Sequence, residues 1–94
     1  MKESEFQKGV KDKIKAKFPD AIIRNQEGQQ GFPDLLILRG KNWVALECKV
    51  SKTAHHQPNQ DIYVNKLNDM SYASFIFPEN EEEVLNEVFK TLES

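Results

Sequence analysis

The sequence contains a single cysteine, Cys48, so no disulfide can close within it, and a reducing, cytoplasmic compartment fits best. It has no secretory-type apolar stretch and no apolar run long enough to cross a bilayer, so no membrane role is expected. Histidine is nearly absent too. His55 and His56 are adjacent, and neither a cysteine nor a third histidine lies at zinc-like spacing, which argues against a zinc centre and leaves a loop pair near a ligand or plain solvent exposure. There is no repeat, no low-complexity tract and no linker. The 94 residues are therefore read as one domain, 1–94, built on one core near the lower end of comfortable size.

An excess of positive charge is missing as well, since the net charge is −2. Its distribution is uneven. Residues 1–57 hold 11 Lys/Arg and 7 Asp/Glu, while residues 58–94 hold 2 and 8. A basic front half could present one positive face to a phosphate backbone, although a solvated surface gives the same asymmetry.

What the chain does have is a pair of strongly apolar runs, Leu35 to Leu38 and Trp43 to Leu46, separated by Gly40-Lys41. A two-residue turn at Gly40-Lys41 makes Arg39 face Asn42, so cross-strand partners sum to 81 and Asp34 lies opposite Glu47. Alternation sends Glu47 and Lys49 to one face and Cys48 to the other, where a packed thiol is the natural role. Two like charges about 4 Å apart repel by roughly 4 kcal/mol at an effective dielectric near 20. Partial burial adds a desolvation cost of several kcal/mol per ion. Two readings fit. A divalent cation between the carboxylates reverses the sign of the problem, and Mg²⁺ takes one or two protein carboxylates and fills its other positions with water and phosphate oxygens. Alternatively the pair is solvated at a fraying strand end and balanced by Lys49.

Pro33-Asp34, then twelve residues, then Glu47-Cys48-Lys49 resembles the PD-(D/E)XK signature of the restriction-endonuclease-like nucleases. With Gln60-Asp61-Ile62-Tyr63 opening the next helix, the short format is most similar to the small virus-type replication-repair nuclease (VRR-NUC) domains, over almost the whole chain. The resemblance implies a metal site of Asp34, Glu47 and the Cys48 carbonyl, loaded with Mg²⁺ or with Mn²⁺ as substitute. It implies that Lys49 activates water or stabilises charge, and that Gln60 is an active-site amide. It also implies an acidic residue from the first helix, for which Glu5 is the best-placed match and Glu3 the rival. A helix dipole explains either carboxylate equally well.

Elsewhere the pattern is ordinary. Ser4-x-x-Gln7 reads as a capping box for a first helix carrying Phe6, Val10, Ile14 and Phe18 on one stripe, stopped by Pro19. Its lysines are read mainly as a solubilising face, with a few contacting phosphate as the lesser reading. Ala21 to Arg24 forms a short strand, and Gly28 and Gly31 serve turns in the polar loop that follows. Trp43 belongs to the core, and Tyr63 packs or joins the site. Pro58 opens a second helix, Tyr72 to Phe77 forms a strand, and Asn80-x-x-Glu83 starts a last helix with Val84, Leu85, Val88, Phe89 and Leu92 on its apolar face.

The expected architecture is α/β: a restriction-endonuclease-like αβββαβα core with a central mixed sheet of about four strands and helices on both faces. The expected function is a Mg²⁺-dependent DNA endonuclease hydrolysing phosphodiester bonds in replication, repair or recombination, selective for branched or four-way (Holliday) junction DNA. The competing class is a nuclease-like module that binds nucleic acid or a partner without cutting. Small size further suggests a homodimer, with Val84 to Leu92 or the Tyr72 to Phe77 strand as its interface.

Overall fold

The computed structural model describes residues 1–26 and 30–93. The element order is α1 (Glu3–Lys17), β1 (Ile22–Asn25), β2 (Leu35–Arg39), β3 (Asn42–Cys48), α2 (Pro58–Met70), β4 (Tyr72–Ile76), a 3₁₀ turn (Pro78–Asn80) and α3 (Glu81–Glu93). The four strands form one sheet in the order β1-β2-β3-β4. β1, β2 and β3 pair antiparallel, whereas β3 and β4 pair parallel across the α2 connection. The αβββαβα order and the mixed sheet agree with expectation.

The β2–β3 register runs from Arg39↔Asn42 to Leu35↔Leu46, so every pair sums to 81. Gly40 has φ +61° and Lys41 is not in the positive region, which matches a turn with glycine at its first central position. Arg39 then ties the hairpin tip to its surroundings. Its Nε donates to Asp20 Oδ1 at 3.1 Å, a guanidinium N–H donates to the Leu92 carbonyl at 2.7 Å, and the group lies 4.3 Å from the Phe18 ring centre.

Both sheet faces are covered. Phe6, Val10, Ile14 and Phe18 join Leu35, Ile37, Val44, Leu46, Cys48 and Ile76 and the α3 residues Val84, Leu85, Val88 and Leu92 in the larger core. Ala45 and Ala73 meet Val64 of α2 on the other face, with Leu36, Trp43, Leu67 and Phe75 packed around them. Each fully buried aliphatic side chain contributes roughly 1.5–3 kcal/mol, so the larger layer dominates stability and tolerates an unfavourable charge pair at its edge.

Three local expectations change. Helix α1 begins at Glu3 with Lys2 as its cap residue and no side-chain cap bond, so Ser4 lies inside the first turn. Asn80 accepts from the Phe77 N–H at 2.9 Å and donates to the Phe75 carbonyl at 3.2 Å, closing the 3₁₀ turn backwards rather than capping α3 forwards. The apolar face of α3 is consumed inside the chain: its aliphatics are buried and Phe89 meets Phe18 edge-on at 6.0 Å. Helix α1 presents one narrow stripe to this side of the sheet, and α3 covers the remainder.

Candidate functional site

Asp34 precedes β2, where the Gln26 N–H holds its carbonyl at 2.7 Å. The hairpin register carries one step past Leu35↔Leu46 and brings Asp34 beside Glu47. The backbone then locks the pair. The Asp34 N–H donates to Glu47 Oε1 at 3.2 Å, and the Cys48 N–H donates to Asp34 Oδ2 at 3.1 Å. Glu47 is only 3% exposed, although a carboxylate is among the groups least often buried.

Lys49 follows β3, with its N–H on the Ile76 carbonyl at 2.9 Å. Its ammonium lies 3.8 Å from Glu47 Oε2 and donates to the His55 carbonyl at 3.0 Å. Gln60 reaches the same carboxylate from the first turn of α2, its Nε2 donating to Glu47 Oε2 at 3.0 Å. Its Oε1 accepts the Gln57 N–H at 2.8 Å, so the helix cap fixes which end of the amide faces the site. Asp34, Glu47, Cys48, Lys49 and Gln60 thus converge as expected. Glu3 and Glu5 are both exposed on α1, and Glu3 is the one whose charge acts on Glu47 and Cys48.

Electrostatics follow from burial. Glu47 is pushed up to about 8, first by desolvation and then by the Asp34 charge, with Glu3 adding to it and Lys49 and the Asp34 N–H opposing. Asp34 is also raised, by desolvation, against the Cys48 hydrogen bond and Lys49. A divalent cation would offset the cost of two neighbouring negative charges and replace the proton, which leaves to solvent, so the donor set fits a hard divalent ion. Among the described residues no group of three or more His, Cys, Asp and Glu side chains is arranged to hold a metal. Two carboxylates suit Mg²⁺, which leaves its other positions to water and substrate oxygens, better than a four-ligand zinc centre. The Cys48 thiol is fully buried and its ionisation is strongly disfavoured, first by desolvation, so it stays an inert packing group.

The loop between β1 and β2 reaches this end of the sheet by a close approach. Gly31 has φ +86°, and a side chain there would collide with Asn59 in the first turn of α2, including its carbonyl carbon at 2.9 Å. Phe32 packs edge-on against Tyr63 at 5.4 Å, so the packing reading of Tyr63 holds. Gly28 lies outside the described residues. On the α1 side, Lys11 donates to Asn25 Oδ1 at 3.2 Å and Asn25 donates to Gln7 Oε1 at 2.8 Å. Other α1 lysines have structural partners: Lys8 pairs with Asp12, Lys13 with Glu81, and Lys15 holds the carbonyls of Pro19 and Ala21.

One group escaped sequence reasoning. The His56 side chain is half-buried, 30% exposed. Its ring stacks on Phe75 at 4.0 Å and 16°, and its Nδ1 lies 3.2 Å from Asp61 Oδ1. Only the five-residue step to Asp61, across a helix start, hinted at that pair.

The strand order, the mixed sheet and the helices on both faces define an α/β fold. It is a VRR-NUC-like fold: a solved structure described as a "VRR_NUC domain protein" superposes with a TM-score of 0.70 at 20% identity, covering 97% of this chain and 90% of that one. No family model and no curated protein matches the sequence. Among the described residues no helix is long and apolar enough to cross a membrane.

Proposed function

We propose that the chain is a Mg²⁺-dependent DNA endonuclease, with Mn²⁺ as a working substitute. The observation that carries this is half-buried Asp34 locked against buried Glu47, with Lys49 and Gln60 converging on Glu47. A binding module has no need to bury two repelling carboxylates beside a lysine. The VRR_NUC domain named in the description of the structurally similar protein supports the same reading.

Asp34 and Glu47 would hold the ion, assisted by the Cys48 carbonyl. When bound, Mg²⁺ supplies Lewis acidity toward a phosphate oxygen and a lowered pKa for a water. Hydrolysis forms a new oxygen–phosphorus bond, breaks a bridging one and leaves a proton on the departing oxygen. Lys49 contributes a fixed positive charge toward the phosphate, where negative charge accumulates. Gln60 orients the Glu47 carboxylate through Nε2 and is itself oriented by the helix cap. Glu5 was the α1 carboxylate expected from sequence, and we assign that supporting role to Glu3 instead. Lys11, presented on a side-chain network beside the end of β1, is the α1 lysine we assign to the nucleic-acid backbone. A separate concavity over the start of α3 is lined by Glu79, Glu82, Glu83 and Glu87, whose charge repels phosphate, so it is not part of this reading.

Selectivity for branched DNA by a homodimer belongs to the same proposal. The β4 edge is the remaining candidate interface, because the α3 face is spent internally. Plasmid nicking with Mg²⁺, Mn²⁺ or chelator tests the chemistry. Light scattering, with cleavage of matched linear, flap and four-way substrates, tests selectivity and assembly. Absence of metal-dependent nicking, or nicking undiminished in Asp34→Ala, would remove the nuclease reading.

A further inference from the structure

The Lys49 ammonium is nearly buried, with 9% of its side chain exposed, and its nearest fixed acceptor is a carbonyl rather than a carboxylate. That carbonyl belongs to His55, in a segment with no regular hydrogen-bonded ladder. A long amine on such a tether stays in place only if the tether is held. The peptide plane that carries the His55 oxygen also carries the His56 nitrogen and Cα, because the peptide unit is rigid. Whatever fixes His56 therefore aims the carbonyl.

His56 is fixed from two sides. Its ring lies flat on Phe75 of β4, 4.0 Å between centres, and Phe75 is the parallel partner of Glu47 on β3. Its Nδ1 meets Asp61 Oδ1 at 3.2 Å, one residue after Gln60. The clamp is thus built on the same strand pair and the same helical turn that place Glu47 and Gln60. We propose that His56 is a positioning residue: clamped between Phe75 and Asp61, it aims the His55 carbonyl that holds the Lys49 ammonium beside Glu47. His56 touches neither Glu47 nor Lys49 by a side-chain hydrogen bond, and its effect runs through the backbone.

This inference rests on the nuclease reading for its effect on rate, but not for its effect on Lys49. The first readout is therefore the ¹H–¹⁵N signal of the Lys49 ammonium, assigned by its loss in Lys49→Ala. It should be visible in the wild-type protein, where exchange with water is slowed by burial, and lost or broadened in His56→Ala. Asp61→Ala, which keeps the ring on Phe75, is the second variant should His56→Ala fail to fold, and it should broaden the same signal. The second readout is single-turnover cleavage with saturating Mg²⁺, beside DNA affinity measured in Ca²⁺. By analogy with outer-shell groups of metal sites, His56→Ala should slow cleavage by about tenfold or more, with affinity nearly unchanged. In a Lys49→Ala background the same substitution should add nothing, since the group it positions is gone. His56→Phe, which keeps the stack and loses the Asp61 bond, should fall between wild type and His56→Ala. An unchanged ammonium signal overturns the proposal whether or not the chain cuts DNA. So does a His56→Ala penalty that persists in full without Lys49, or one that appears as lost DNA affinity. A chain that never cuts, yet loses the ammonium signal in His56→Ala, would sink the nuclease reading alone.

Discussion

Asp34 and Glu47 hold each other through the backbone: the Asp34 N–H donates to the Glu47 carboxylate, and the N–H following Glu47 donates to the Asp34 carboxylate. The two acids are thereby fixed at close range by the same hairpin whose register brings them together. Their repulsion cannot be relieved by rotation.

Neutralising one acid should therefore separate binding from stability. Glu47→Gln keeps the shape and can still accept from the Asp34 N–H, but it removes the charge. Mg²⁺-dependent cleavage should vanish, while metal-free stability at pH 8 and above should hold or rise. Glu47→Ala is the less informative variant, because it removes both acceptor oxygens and leaves the Asp34 N–H and the Gln60 amide without their partner, a defect that typically costs about 1–3 kcal/mol or more. Glu47→Gln cutting at the wild-type rate would show that the ion is held elsewhere.

The raised carboxyls set a pH dependence of definite sign. The native state binds more protons than the unfolded one from the usual carboxylate range up to about 8, the value reached by Glu47. Stability from this source is complete below that window and is lost as pH rises through it, with a slope approaching about 1.4 kcal/mol per pH unit. Urea unfolding from pH 5 to 9 should show the decline in wild type and a flatter curve in Glu47→Gln. Saturating Mg²⁺ should cancel it, and metal binding at pH 7 should release about one proton, visible calorimetrically as a dependence on buffer ionisation heat. Parallel curves for the two proteins would disprove this electrostatic account.

Lys49→Ala should still bind Mn²⁺ through the two carboxylates, yet cut slowly. A positioned charge stabiliser is typically worth about 10²–10³ in rate. Calorimetry showing that metal binding is lost would recast the lysine as part of the scaffold.

Gly31→Ala should damage both stability and cleavage. The left-handed conformation alone costs about 1–3 kcal/mol for a side-chain-bearing residue, and the collision with Asn59 pushes on the turn that carries Gln60. Gly40→Ala is the control: it has positive φ but nothing within 4 Å, so it should lose stability and keep its catalytic rate. Equal activity losses in the two variants would mean that the loop approach does not shape the site.

Lys11→Ala should weaken DNA binding in Ca²⁺ and flatten the salt dependence of affinity by about one unit of log–log slope, the signature of one lost phosphate contact. An unchanged slope would return Lys11 to the solvated face.

The legible parts of this molecule are those governed by a short period and a short turn. Two residues at Gly40-Lys41 and alternation along Trp43 to Lys49 suffice to place Asp34 against Glu47, since a slip of one residue would turn the apolar set outward. Pro58 placed Gln60 in the first turn of α2, but its place at the site came from the family resemblance and not from the local pattern. Glu3 and Glu5 were not separable, because a helix turns about 100° per residue and the side facing the strands depends on how α1 docks. His56 was invisible for a related reason: a loop residue's direction is set by what it meets, here a ring on β4 and a carboxylate on α2. Reading α3 as a spare interface came from counting its apolar residues without knowing that it shares with α1 the covering of one sheet face.

The parallel seam between β3 and β4 imposes an order of assembly on the site. Asp34 and Glu47 come from one hairpin whose contacts are close in sequence, so they meet in any species that has formed that hairpin. Lys49 is anchored on Ile76 and His56 rests on Phe75, so these two gain their supports only when the last strand has docked. A chain caught before that step would already possess its paired acids while lacking those supports. The finished seam therefore works as a checkpoint on competence, tying the lysine's anchoring to completion of the sheet.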